Sequence, residues 1–143
     1  MLFDLVRRCY EFRVMTEVGG ASLAAQKADE ADIDAIQQAW DTLQQVIHSE
    51  GVGARDDFAF HLAVARASKN QFFITALSFI HEQVESSMNL SRKLSQAKSV
   101  ERQRLVQAEH LAVLDAIRRR DSRGAERAMR EHLANAMERM VGA

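Results

Sequence analysis

Apolar residues recur along this chain at three- and four-residue intervals, and no segment alternates strictly between apolar and polar positions. That period predicts helices throughout. The first segment runs from Leu2 to Lys27 and is interrupted by Gly19 and Gly20, which offer it a place to bend. The second begins near Asp29, a candidate N-cap with Asp32 three residues on. Ile33, Ile36, Trp40, Leu43 and Ile47 then mark one face, and residues 48–53 read as an exit loop. A third helix is expected over Arg55–Ala67, with a short break at Ser68-Lys69-Asn70. The fourth covers Gln71–Leu94 on a stripe of Phe73, Leu77, Ile80, Val84 and Met88. The fifth spans Ser99–Arg120 and the sixth Ser122–Met140, the latter capped by Asp121 or Ser122. The expectation is an all-α antiparallel bundle of about six helices joined by short loops.

Composition narrows this picture. The 143 residues suit one domain with a single core, and no repeat, low-complexity tract or linker divides them. Proline is absent, which favours long uninterrupted helices. A net charge of −1 gives no general electrostatic reason to bind nucleic acid or an anionic membrane. Cys9 is the single cysteine, so no disulfide forms within the chain, in keeping with a cytoplasmic location. No apolar run approaches the roughly 20 residues of a membrane span. The run Arg118-Arg119-Arg120 reads as cations at the negative end of a helix rather than as a phosphate contact.

The candidate chemistry lies with the histidines. Asp57 and His61 stand four residues apart, so they project from one side of a helix. His110 lies on a stripe with Val106, Val113, Leu114 and Ile117, and His132 lies between Ala128 and Ala136. All three histidines face inward by this reading. His81, beside Leu77, could line a cavity, and His48 sits at an exposed helix end. An inward imidazole can be satisfied by a core hydrogen bond alone. An inward carboxylate must be paired, metal-bound or neutral. One divalent cation would satisfy all four groups, and imidazole with carboxylate suits zinc and its neighbours.

The order of motifs adds a resemblance. E-F-R-V-M-T-E-V-G-G-A-S-L-A-A (Glu11 to Ala25), D-x-x-F-H (Asp57, Phe60, His61), A-S-K-N (Ala67 to Asn70), H-L-A-V-L-D-A-I-R-R-R-D (His110 to Asp121) and M-R-E-H-L (Met129 to Leu133) follow one another. Together they resemble the FCD domain, the effector-binding and dimerisation domain of FadR-subfamily regulators in the GntR family. The resemblance covers nearly the whole chain. It implies a divalent metal held by Asp57, His61, His110 and His132, zinc first, with nickel, cobalt, iron or manganese as further candidates. It implies a small carboxylate effector beside that metal: a hydroxy acid, a sugar acid or a dicarboxylate. Arg13 occupies the first-helix position that helps hold such a ligand, and Asn70 is a second effector candidate, though capping of the next helix is its simpler role. Arg13 also has a local alternative, a salt bridge to Glu17 one turn along. The resemblance further implies a homodimer. Operator DNA would be bound only through a winged-helix domain, about 70 residues long, that this chain lacks; the chain reads as the effector part of a longer protein.

Two other functions fit the same residues. A metal-dependent hydrolase would use the metal to activate water, with Glu109 as its candidate base. A structural helical adaptor would use the metal for stability alone.

Overall fold

The computed structural model describes residues 2–48, 54–94 and 100–142, with side chains over 3–48, 55–83 and 100–140. Its six helices are α1 (Leu2–Lys27), α2 (Glu30–His48), α3 (Ala54–Ala67), α4 (Gln71–Leu94), α5 (Val100–Arg118) and α6 (Ser122–Gly142). The all-α expectation holds, and no strand occurs among the described residues. The continuation of the α4 stripe at Val84 and Met88 lies outside the described side chains. His48, the first residue of the expected 48–53 loop, instead ends α2, and the rest of that loop lies outside the described residues, as does Ser99, the expected start of the fifth helix.

The described turns between helices are closed by specific devices. Asp29 Oδ1 accepts from the Asp32 N–H at 2.9 Å, and Asp32 Oδ2 accepts from the Asp29 N–H at 3.0 Å. This reciprocal capping box fixes the start of α2. Asn70 Oδ1 accepts from Phe72 N at 3.0 Å to cap α4, and Asp121 Oδ1 accepts from Gly124 N at 2.9 Å to cap α6. Helices α3 and α5 end on residues in the left-handed region, Lys69 and Arg120, both with φ 61°. The α5 end therefore comes two residues before the expected Arg120. Asp121 N donates to the Ala116 carbonyl at 2.9 Å, which closes the last turn and turns the chain out of the helix.

Both left-handed residues reach the α1–α2 junction. Lys69 Nζ lies 2.6 Å from Asp32 and 3.1 Å from Asp29, and Arg120 donates to the Ala28 carbonyl. Two separate turns are thus tied to a third. Arg118, the first of the three arginines, donates to Gln37 Oε1 at 2.7 Å, a contact within the bundle.

Packing departs from chain order at the α1–α2 junction. Helices α1 and α2 are joined by two residues yet make no extended contact; α2 packs on α3 and α5. The stripe of Ile33, Ile36, Leu43 and Ile47 is buried there, with the Trp40 indole donating to the Gln107 carbonyl at 3.0 Å. Helix α1 instead runs against α6 and also meets α3, α4 and α5. Ile36, Phe60, Leu114, Ile117, Met129 and Leu133 are fully buried in one contiguous core.

Gly19 and Gly20 do not break α1. A Cβ added at Gly20 would meet the Phe73 ring at 3.7 Å, an ordinary contact, so nothing in the packing requires glycine there. Gly124 differs, because an added Cβ would overlap the Asp121 carboxylate that caps α6. Gly20→Ala should therefore raise stability by about 0.5–1 kcal/mol through helix propensity. Gly124→Ala should lower it by about 1 kcal/mol through loss of the cap. Urea denaturation midpoints at unchanged m-value check both signs.

Candidate metal centre

Three helices converge below the middle of α1. Helix α3 supplies Asp57 and His61 from successive turns, α5 supplies His110 and α6 supplies His132. One ligand atom from each of the four lies within 4.8 Å of all the others. The three imidazoles are buried, as their apolar stripes predict. Phe60 is fully buried beside them, stacked on His110 at 4.4 Å between centroids and edge-on to His61 at 5.9 Å. Phe58 does not join this shell; its ring stacks on His81 at 3.7 Å. His81 is thus placed against a ring, not on the cleft described below. His48 is exposed.

Asp57 differs from the expected inward carboxylate. Its side chain is 43% exposed. It stands in the first turn of α3, where the positive end of the helix dipole favours an anion. Burial of its inner face raises its pKa, but the His110 contact and the neighbouring imidazoles outweigh this and hold the carboxyl well below its usual range.

The hydrogen-bond partners of the imidazoles decide what the cluster can bind. His61 Nδ1 lies 2.5 Å from Glu17 Oε1, and His132 Nδ1 lies 2.7 Å from Glu109 Oε1. Burial pushes the Glu17 carboxyl up, yet the Arg13 charge and the contact with His61 hold it at about 2. Glu109 is likewise held at about 2, against burial, by His132, Arg139 and Asn135. Both are ionised at neutral pH and can only accept. The hydrogens of His61 and His132 therefore sit on Nδ1.

His110 reaches the same state through an amide. Gln107 Nε2 donates to the Trp40 carbonyl at 3.1 Å and to Gln44 Oε1 at 3.0 Å. That fixes the amide, and its Oε1 faces His110 Nδ1 at 3.0 Å. His110, too, carries its hydrogen on Nδ1.

All three Nε2 lone pairs then point into the cluster. His61 Nε2 and His132 Nε2 face each other at 3.2 Å. His110 Nε2 is buried without a hydrogen-bond partner, although Asp57 Oδ1 lies 3.1 Å away. Four acceptors with no donor among them make an arrangement that a cation can satisfy all at once. The donor set, three neutral imidazoles and one carboxylate, fits a first-row divalent metal.

The effector candidates lie elsewhere around this centre. Arg13 Nε donates to Glu17 Oε2 at 2.6 Å, the local pairing, and its guanidinium stands 4.9 Å over the Tyr10 ring. Arg13 is thus one residue removed from His61. Asn70 serves as the α4 cap and is not brought to the cluster. A cleft between α1, α3, α4 and α6, lined by Thr16, Glu17, His61, Phe73, Leu77 and Met129, has room for about one water molecule.

Comparison with known proteins places the fold in a family. Residues 8–135 match the family model of the FCD domain. The chain belongs to the FCD domain family. The HTH-type transcriptional regulator LutR of Bacillus subtilis is 34% identical over 140 residues, covering 96% of this chain and 63% of that protein. The HTH-type transcriptional repressor NanR of Cronobacter sakazakii is 27% identical over 124 residues, covering 86% of this chain and 46% of that protein. This FCD domain thus spans about half to just under two-thirds of the length of these relatives. Among solved structures, the metal-free FCD domain of TM0439 superposes with a TM-score of 0.70 at 23% identity, covering 99% of this chain and 95% of that one. That likeness establishes the shared fold.

The site predicts how the metal-free domain responds to acid. Burial pulls His110 down to about 4, and His132 is lowered for the same reason. In the unfolded chain both return to about 6.5. The unfolded state therefore binds more protons below pH 6.5, and stability falls as pH drops from 6.5 towards 4. Below about pH 4.5, Glu17 and Glu109 add to the loss, since their folded values lie at about 2. Metal-free protein should be less stable at pH 5 than at pH 8 by on the order of 2 kcal/mol from His110 alone. Denaturant titrations in the presence of a chelator measure the difference.

Proposed function

We propose that this FCD domain is a metal-containing sensor of a transcription regulator, which binds a small carboxylate beside the metal. The observation that carries the reading is the convergence of Asp57, His61, His110 and His132 with every imidazole hydrogen turned outward. Four protein ligands leave a five- or six-coordinate metal one or two further positions. A hydroxy acid, sugar acid or dicarboxylate oxygen suits them, with zinc the first candidate and nickel, cobalt, iron or manganese compatible with the same donors. Bound there, the metal acts as a Lewis acid that anchors the carboxylate.

Arg13 supports the carboxylate reading. It sits beside Glu17, which contacts His61, so a guanidinium lies just outside the ligand shell. An effector carboxylate would share it with Glu17, or replace Glu17 on it, through paired N–H donors. Asn70 would contribute only if the α4 cap opened. The tightness of the cleft suits a sensor. A ligand larger than water must move its walls, which couples binding to helix positions. In a full-length regulator such shifts would reorient attached DNA-binding domains on operator half-sites.

The hydrolase reading has less support. Its candidate base, Glu109, is held at about 2 and already accepts from His132, Asn135 and Arg139. A base so engaged has little affinity for a water proton. The named relatives are transcriptional regulators.

Self-association fits the exposed apolar residues. Phe12 and Met15 on α1 and Phe72 and Phe79 on α4 are exposed at 47%, 78%, 84% and 61%. The two helices pack on each other, so the residues fall on adjoining elements. A homodimer across this face would cover them.

Two measurements test these readings. After metal reconstitution, the native domain should retain close to one divalent ion per chain by elemental analysis, and the Asp57→Ala/His61→Ala double variant almost none. Equal, negligible retention in both would remove the metal from the reading. A thermal-shift series over small carboxylates should raise the melting temperature of the metal-loaded domain for a sensor and leave it unchanged for a structural adaptor. Separately, Phe72→Glu/Phe79→Glu should convert a dimer to a monomer in sedimentation analysis; an unchanged dimer would place the interface elsewhere.

A further inference from the structure

The three histidines are not held alike. His61 and His132 each give their Nδ1 hydrogen to a glutamate, and each glutamate is gripped in turn by an arginine. The first chain is His61–Glu17–Arg13, running from α3 to α1. The second is His132–Glu109–Arg139, running from α6 to α5 and back. His110 gives its hydrogen to the neutral amide of Gln107. Two ligands thus face carboxylates and one faces a carboxamide.

A carboxylate and a carboxamide act differently on an imidazole. The carboxylate can only accept, so it forces the hydrogen onto Nδ1 and leaves Nε2 a lone pair. It also places negative charge behind the ring, which strengthens Nε2 as a donor to a metal. A carboxamide can turn over and donate instead. Gln107 is prevented from doing so by the Trp40 carbonyl and Gln44. Nothing equivalent would restrain a glutamine at position 17, where the neighbour is the donor Arg13.

We propose that Glu17 and Glu109 are positioning residues of the metal centre, fixing the Nε2-donor tautomers of His61 and His132 and raising metal affinity. The inference rests on the metal reading of the cluster. Arg13 and Arg139 keep the two carboxylates in place. The fourfold contact at Glu109, with His132, Asn135 and both terminal nitrogens of Arg139, leaves it one orientation. Glu17 has one oxygen on each neighbour and is equally constrained.

The test uses Glu17→Gln and Glu109→Gln separately in the whole chain, with zinc as the probe. Zinc dissociation constants come from competition with a chelator. Nitrogen-15 chemical shifts of the histidine rings give the tautomers of the metal-free proteins. Each substitution should weaken zinc binding 10–100-fold. Each should also bring up the Nε2-protonated tautomer at its own histidine, His61 or His132, and leave the other unchanged. Should Glu17→Gln fail to fold with Arg13 left unpaired, Glu109→Gln decides alone, since its pair is less buried. Native zinc affinity in the variants overturns the proposal while leaving the metal centre standing. Weaker binding with unchanged tautomers marks a merely structural role and also overturns it. Absence of zinc binding in the native chain removes the centre and the proposal together.

Discussion

The organisation of this domain depends on where three imidazole hydrogens go. Each Nδ1 hydrogen is taken by an acceptor outside the cluster: Glu17, Gln107 or Glu109. Each Nε2 is therefore left as a lone pair facing inward, with Asp57 Oδ1 3.1 Å from one of them. Lone pairs at such separations repel, and burial denies them water. A cation held by these four groups would relieve that repulsion. The same acceptors tie α1, α3, α5 and α6 together at one level of the bundle, so the ligand set and the helix packing are a single arrangement.

The rest of the fold holds these four helices in register. The αL turns at Lys69 and Arg120 place two cations on the α1–α2 junction, which fixes where α1 ends relative to α3 and α5. Capping by Asp29, Asn70 and Asp121 fixes where α2, α4 and α6 begin. A helix start displaced by one residue rotates every side chain on it by about 100°. For α6 such a rotation would carry His132 away from His61. The caps are remote from the centre, yet the site depends on them.

Much of this was legible in the sequence. Helical period located all six helices, and the Asp29–Asp32 pair marked the start of α2. Ordered motifs pointed to Asp57, His61, His110 and His132, whose side chains the fold brings together. Local patterns misled where a long-range partner exists. Glu17 reads as one half of an i,i+4 pair with Arg13, which is true but conceals its second oxygen on His61, 44 positions away. Glu109 reads as a neighbour of His110, but adjacent residues on a helix point about 100° apart. It serves His132 on the next helix instead. Gln107 carried no signal at all, since a glutamine on an amphipathic helix is ordinarily a surface residue. Asp57 reads as buried from its spacing with His61, whereas its place in the first turn of α3 leaves it partly in solvent.

The balance between core and centre bears on what a metal does here. In small zinc modules the metal supplies most of the folding free energy, because too little apolar surface is available. This bundle has a contiguous core in which Ile36, Phe60, Leu114, Ile117, Met129 and Leu133 lose essentially all exposure. The core is contiguous beside the cluster, with Phe60 stacked on His110. On the metal reading proposed above, occupancy would adjust the relative positions of helices that already share a core. On the proposed sensor reading, a change at the centre would pass through α1, α3, α5 and α6 as a shift between folded states. Asp57 leaves one side of the cluster partly open to solvent, whereas the three buried histidines close the other.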